Sequence, residues 1–147
     1  MKTRKTLGTA AVAAAAALTS FGLAAPADAS TGTPCSIANG ACVRLSTNQA
    51  WLIYNGSASY GPVAVSHGMP GYETPVGTFP VLRKVKDEWS VPYNGPMPNS
   101  VYFTTDGIAF HQGDTSRPSH GCVRLGPQES LTFYDNLFPG EQVQVVA

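Results

Sequence analysis

Phe110-His111-Gln112-Gly113-Asp114-Thr115-Ser116-Arg117-Pro118-Ser119-His120-Gly121-Cys122-Val123-Arg124-Leu125 gathers two histidines, a cysteine and two arginines in one stretch. No other part of the 147-residue chain is as rich in reactive groups. Side chains alternate across a strand, so Val123 and Leu125 share one face while His120, Cys122 and Arg124 share the other, if the stretch is extended throughout. The run Ile108-Ala109-Phe110-His111 reads the same way, with Ile108 and Phe110 on one side and Ala109 and His111 on the other. Together they predict strands with an apolar face toward the core and reactive side chains on an open face.

Working outward, the chain looks β-rich and turn-rich. Cys42-Val43-Arg44-Leu45 and Gln49-Ala50-Trp51-Leu52-Ile53-Tyr54 read as strands, and Asn55-Gly56 is a strong hairpin signal. The return strand covers 59–66, with Pro62 placing it near an edge or making it begin late. Pro75 and Gly77 make a tight bend before a strand through Phe79, Val81 and Val85. The charge run 83–88 reads as a solvated strand end and turn. Segment 89–100, with Pro92, Pro96 and Pro98, reads as an irregular surface loop. Its Trp89, Tyr93 and Met97 either line a groove or cover the core. Val101-Tyr102-Phe103-Thr104-Thr105 is a strand turned by Asp106-Gly107. Pro127 at a first helical position and Glu129 in the first turn start the one helix. Leu131, Tyr134 and Phe138 form its apolar stripe, with Phe133 and Leu137 beside it. Pro139-Gly140 ends it, and 142–145 alternates as a closing strand. The core candidates are Trp51, Ile53, Phe79, Phe103, Phe110 and Val123.

The N-terminus reads as a leader rather than part of the fold. Lys2, Arg4 and Lys5 precede a nearly uncharged, alanine-rich run over 6–25, which ends in Ala27-Asp28-Ala29, a small-x-small cleavage signal. The expectation is a signal peptide over 1–29, one domain over 30–147, export to the extracellular space or cell wall, and no stable membrane anchor after cleavage. Cleavage removes three of nine basic residues and one of nine acidic ones. The remaining chain is slightly acidic and has no basic tract, which argues against nucleic acid as a partner.

Three cysteines are an odd number for an exported chain. Cys35 and Cys42 lie close together and can pair across a short loop, contributing about 2–3 kcal/mol. That pairing leaves Cys122 unpaired, as a reactive group or a dimer bridge. Two free thiols, or a bridge from one of them to Cys122, are the alternatives.

A thiol attacks a carbonyl as thiolate, and its ordinary pKa of about 8.5 calls for a base or cation nearby. His111 is the first candidate for the base, able to take the proton and later return it to a leaving amine. His120 is suited to orienting a substrate or supplying a donor. The backbone amides around His120, Gly121 and Cys122 are candidate oxyanion donors, each worth about 3–4 kcal/mol in such sites. Arg124 either holds a substrate carboxylate or makes an ordinary surface ion pair.

Ser119-His120-Gly121-Cys122-Val123-Arg124, preceded by His111, resembles the signature of L,D-transpeptidases, the YkuD-type domain. Thr74-Pro75-Val76-Gly77-Thr78-Phe79 and the Met97-Pro98 segment extend the resemblance over most of the chain after the leader. The resemblance implies an L,D-transpeptidase-like β-sandwich, mainly β with one short helix in its C-terminal half, and cell-wall chemistry. It implies that Cys122 attacks the third residue's carbonyl in a peptidoglycan stem tetrapeptide. D-alanine leaves, a thioester forms, and an amine on a neighbouring stem resolves it to a 3→3 cross-link. His111 would be the base, with the Gln112 carbonyl or a nearby group on its other nitrogen. Ser119, His120 and Gly121 would shape the oxyanion and acceptor sites. Carbapenems would be covalent inhibitors, and neither metal nor organic cofactor is implied. The gap from His111 to Ser119 is shorter than in the usual motif, which implies a reduced wall loop.

Rival readings use the same residues. An L,D-carboxypeptidase would replace the acceptor amine with water. A papain-like peptidase usually presents its cysteine before its histidine, near a helix start. A non-catalytic module would bind zinc through His111, His120 and Cys122, a set whose spacing matches no common finger. A structural wall protein would use Cys122 to dimerise.

Overall fold

The structure is a computed structural model that describes residues 32–147; the expected leader over 1–29 lies outside the described residues. Among the described residues nine strands and one helix follow in order: β1 (Gly40–Arg44), β2 (Gln49–Tyr54), β3 (Ser57–Ala64), β4 (Gly77–Pro80), β5 (Arg83–Ser90), β6 (Gly95–Tyr102), β7 (Ala109–Gln112), β8 (Val123–Leu125), α1 (Pro127–Asn136) and β9 (Gln142–Val146). They form a five-stranded sheet, β3-β2-β1-β9-β4, and a four-stranded sheet, β5-β6-β7-β8. This is the mainly-β sandwich with a single helix that the motifs imply.

The first sheet starts with a hairpin. Asn55 and Gly56 both take positive φ, at 49° and 72°, as a two-residue turn between twisted strands requires. β3 is an edge strand, which accommodates Pro62. β1 runs antiparallel to β2 and parallel to β9, so the closing strand inserts between β1 and β4. The inward faces carry Ala41, Val43, Ala50, Leu52, Val143 and Val145. They meet Val101, Phe103, Phe110, Val123 and Leu125 from the second half of the chain. The outer face of the first sheet holds a separate cluster of Cys35, Ile37, Cys42, Trp51 and Ile53. The Cys35–Cys42 disulfide is formed and pins the incoming chain onto that face. Trp51 and Ile53 are therefore buried, but outside the main core, and Phe79 is only partly buried against it.

The expected strand through Phe79, Val81 and Val85 divides between the sheets: Phe79 lies in β4 of one and Val85 in β5 of the other. The charge run 83–88 is not a turn but the body of β5. As an edge strand it gains from lysines that discourage edge-to-edge pairing. Lys84 and Lys86 also have aromatic faces to rest on: Lys84 Nζ lies 4.5 Å from the Tyr134 ring centroid and Lys86 Nζ 4.8 Å.

The expected loop over 89–100 is corrected too. It is a hairpin, with β5 and β6 paired from Arg83↔Tyr102 to Ser90↔Gly95. Prolines belong in this strand because of where they fall. Pro96 and Pro98 are two residues apart, so their N-H-lacking nitrogens point the same way. β7 pairs only with Val101 and Tyr102, so that part of β6 has β5 alone as a partner. Asn99, at φ 60°, then breaks the alternation and gives its amide to Ser130 Oγ on the helix at 2.9 Å. Met97 before it and Tyr102 after it therefore share one outer cluster although their parity differs. The strand expected over 101–105 ends at Tyr102.

The helix starts at Pro127 with Glu129 in its first turn. Its buried stripe is Ser130, Phe133 and Leu137, not the expected Leu131, Tyr134 and Phe138; Phe138 is 54% exposed. Both sets have helical spacing, and the packing of α1 against β6 and β7 selects the one that reaches Phe110.

Candidate active site

The outer face of the four-stranded sheet carries the site. Phe110 points into the core, and Ala109 and His111 point out. Val123 and Leu125 point in, beside Phe110 and Gln112 of the parallel strand β7. A cleft of about 160 Å³ opens here, lined by Tyr93, Met97, His111, Ser119, His120, Cys122 and Arg124 among others. The side chains singled out from the sequence are thus brought together. They do not share one regular strand: β8 begins only at Val123, and Gly121 turns at φ 120° just before it.

His111 is nearly fully buried, and its Nδ1 lies 2.7 Å from the Gln112 carbonyl oxygen. A carbonyl only accepts, so Nδ1 carries the proton and Nε2 is the basic nitrogen. Burial is the main force lowering the pKa of this imidazole below its ordinary value; the Gln112 carbonyl opposes it and Arg124 adds to it. Cys122 is partly buried and unpaired, with Sγ 3.8 Å from the Gly107 carbonyl oxygen. Burial pushes its thiol up, against the Ala109 amide and Arg124, which favour the thiolate; Asp106 adds to the upward push. Both shifts favour the uncharged forms, the thiol of Cys122 and the neutral imidazole of His111.

The peptide planes around Cys122 are held by two buried hydroxyls. Ser119 Oγ accepts the Gly121 N–H at 3.0 Å and donates to the Cys122 carbonyl at 2.5 Å. The Gly121 amide is thereby engaged by the Ser119 hydroxyl. The Cys122 amide has no hydrogen-bond partner among the described residues. Thr74 Oγ1 donates to the Gly121 carbonyl at 2.6 Å and accepts the Gly68 N–H at 3.0 Å. Ser119 is itself pinned through its backbone to His67 and Met69. Gly121 is required where it stands: its φ is 120°, and an added Cβ would meet Ile108 at 3.3 Å.

His120 is exposed on the cleft rim, stacked on Tyr93 with centroids 4.3 Å apart and met edge-on by Tyr72 at 4.8 Å. Arg124 has a job inside the chain. Its Nη1 donates to the carbonyls of Arg117 and Pro118 at 3.2 and 3.3 Å, and its stem packs on Gly113. The short loop 112–119 is further knotted by Asp114, which bonds Ser116 and Arg117; these bonds lower its carboxyl to about 2. Thr74 and Tyr72 were not singled out as site residues, and Tyr93 only as one of two options. Thr74-Pro75 reads as turn chemistry, and nothing local reveals that its hydroxyl meets residue 121.

Among the described residues no three His, Cys, Asp or Glu side chains are grouped to hold a metal ion. His111, His120 and Cys122 line one cleft without forming such a set. Cys122 precedes a strand rather than a helix, unlike the papain arrangement. No helix among the described residues is long and apolar enough to cross a membrane.

The β-sandwich thus presents a thiol and an imidazole on one cleft, residue types that acyl transfer can use. Residues 38–145 match the YkuD family model, the L,D-transpeptidase catalytic domain, and the chain belongs to that family. The probable L,D-transpeptidase 3 of Mycobacterium tuberculosis is 30% identical over 104 residues, 58% of this chain and 38% of that protein. The chain thus spans well under half of that relative's length. An L,D-transpeptidase from Stackebrandtia nassauensis superposes with a TM-score of 0.70 at 30% identity, covering 75% of this chain and 56% of that one. L,D-transpeptidase 3 from Mycobacterium tuberculosis, solved with a faropenem-derived adduct, shares the fold at a TM-score of 0.65 and 21% identity. That match covers 77% of this chain and 62% of the other.

Proposed function

We propose that this chain is an exported peptidoglycan L,D-transpeptidase, with residues 1–29 as its signal peptide and Cys122 as its nucleophile. The observation that carries the reading is the shared cleft of Cys122 and a buried His111 whose Nδ1 is tied to Gln112. His111 Nε2 takes the thiol proton as Sγ attacks the third-residue carbonyl of a stem tetrapeptide. The developing oxyanion meets the Cys122 amide, and His120 borders the same space. Collapse expels D-alanine, whose amine takes the proton back from His111, and leaves a thioester on Cys122. The positive charge of Arg124 suits the departing carboxylate. An amine of a neighbouring stem then loses its proton to His111, attacks the thioester and frees the thiol, giving a 3→3 cross-link.

Two related structures support β-lactams of the carbapenem and penem type as covalent probes for this site: L,D-transpeptidases were solved in complex with imipenem and with a faropenem-derived adduct. The test is incubation with a disaccharide-tetrapeptide followed by mass analysis. A cross-linked dimer with release of D-alanine is expected, and it should vanish in Cys122→Ala while the fold is retained. Tripeptide alone would replace the transpeptidase by a carboxypeptidase. Activity surviving in the alanine variant would overturn the nucleophile.

A further inference from the structure

We infer that Thr74 is a positioning residue for acyl transfer, acting on the oxyanion donor rather than on the thiol. This deepens the reading of the site proposed above and rests on it. The Gly121 carbonyl and the Cys122 N–H belong to one peptide unit. Thr74 Oγ1 donates to the carbonyl end of that unit at 2.6 Å, and the N–H at its other end has no partner among the described residues. The bond therefore fixes the plane in which that N–H points. A hydrogen bond accepted at the carbonyl also polarises the amide and makes its N–H a stronger donor.

The hydroxyl is well held for this task. Thr74 is 2% exposed, and its oxygen accepts the Gly68 N–H at 3.0 Å, which orients its own proton toward Gly121. The approach of Gly68 is close: a Cβ there would run into the backbone of Tyr72 and Thr74. The glycine conformation of residue 121 leaves this peptide otherwise soft, since no side chain restrains it. The next peptide is held separately, by Ser119 Oγ on the Cys122 carbonyl. Thr74 is thus the contact that orients the 121–122 plane from outside the motif, across 47 residues of sequence.

Acylation and alkylation of the same thiol separate this role from a general one. Reaction of Cys122 with iodoacetamide displaces iodide and develops no oxyanion, so it reports on the thiol and its access. Reaction with p-nitrophenyl acetate or imipenem passes through an oxyanion. In Thr74→Val the two acylation rates are expected to fall about tenfold or more, as misaligned donors do, with iodoacetamide alkylation within about twofold of the parent. Thr74→Ser, which keeps the hydroxyl, is expected to restore acylation. If the valine variant does not fold, Thr74→Ala takes its place and the same ratio of rates is read. Equal acylation in parent and valine variant, or a parallel loss of acylation and alkylation, overturns the inference. A parent that reacts with the ester but never with imipenem, while Thr74→Val still slows the ester, leaves the inference standing and counts against the transpeptidase.

Discussion

His111 Nδ1 and the Gln112 carbonyl oxygen lie 2.7 Å apart, so this imidazole is locked in one tautomer by the residue that follows it. With Nε2 left basic and the ring largely desolvated, the imidazole pKa falls below its ordinary value of about 6.5. The thiol pKa moves the other way, upward through burial. The acid limb of imipenem acylation is therefore expected below pH ~6.5, and the rise of iodoacetamide alkylation above the ordinary thiol pKa of about 8.5. A thiolate–imidazolium pair would invert this order, with alkylation already fast near pH 6. The same shift acts on stability. A histidine held neutral in the fold binds a proton more readily when unfolded, so its contribution is present above pH ~6.5 and is lost as the pH falls. Urea midpoints measured from pH 7.5 down to 5 check the direction.

Arg124 lowers the pKa of both His111 and Cys122. Arg124→Gln should therefore raise both: the imidazole takes its proton at higher pH, and the thiol gives its proton up at higher pH. Both limbs of the pH profile are expected to move up together. Arg124→Lys keeps the charge but not the fork that reaches the Arg117 and Pro118 carbonyls. It is expected to hold the limbs in place while loosening loop 112–119, measurable as faster amide exchange there.

What the sequence revealed and what it hid divide along physical lines. β7 and β8 were legible because Phe110, Val123 and Leu125 alternate with His111 and Arg124, and a buried face tolerates no other register. The β5–β6 hairpin was not legible. Prolines 92, 96 and 98 argue for a loop unless one knows that β7 covers only the end of β6. The helix stripe failed because two apolar sets share one period, and only the sheet beneath chooses. Within the site, the Ser119–Cys122 cluster lies in one short motif and was visible. The Thr74–Gly121 bond and the Tyr72 contact come from chain crossings that no local pattern encodes.

The disulfide offers a control on the far side of the sandwich. Cys35 and Cys42 sit in the outer cluster of the five-stranded sheet with Trp51 and Ile53, whereas the cleft lies outside the other sheet. A Cys35→Ala/Cys42→Ala double variant is expected to lose about 2–3 kcal/mol of stability by urea titration, from the closed-loop entropy alone. Its acylation rate at 25 °C should stay within about twofold of the parent. A larger kinetic effect would mean that the first sheet controls the cleft through the shared core.

Tyr93 tests whether the rim matters to the chemistry. It sits in the turn of the β5–β6 hairpin, is 56% exposed, and stacks on His120 at an interplanar angle of 14°. Such a stack contributes about 0.5–1.5 kcal/mol. Tyr93→Ala should therefore lower global stability by about 1 kcal/mol or less, because the residue is anchored to little else. His120 would then keep only the edge contact with Tyr72, and the cleft would lose one wall. Acylation by imipenem is expected to slow about tenfold, and Tyr93→Phe, which preserves the ring, to recover most of it. Equal loss in the alanine and phenylalanine variants would assign the effect to the phenol oxygen rather than to the stack, and no loss in either would make the hairpin turn a bystander.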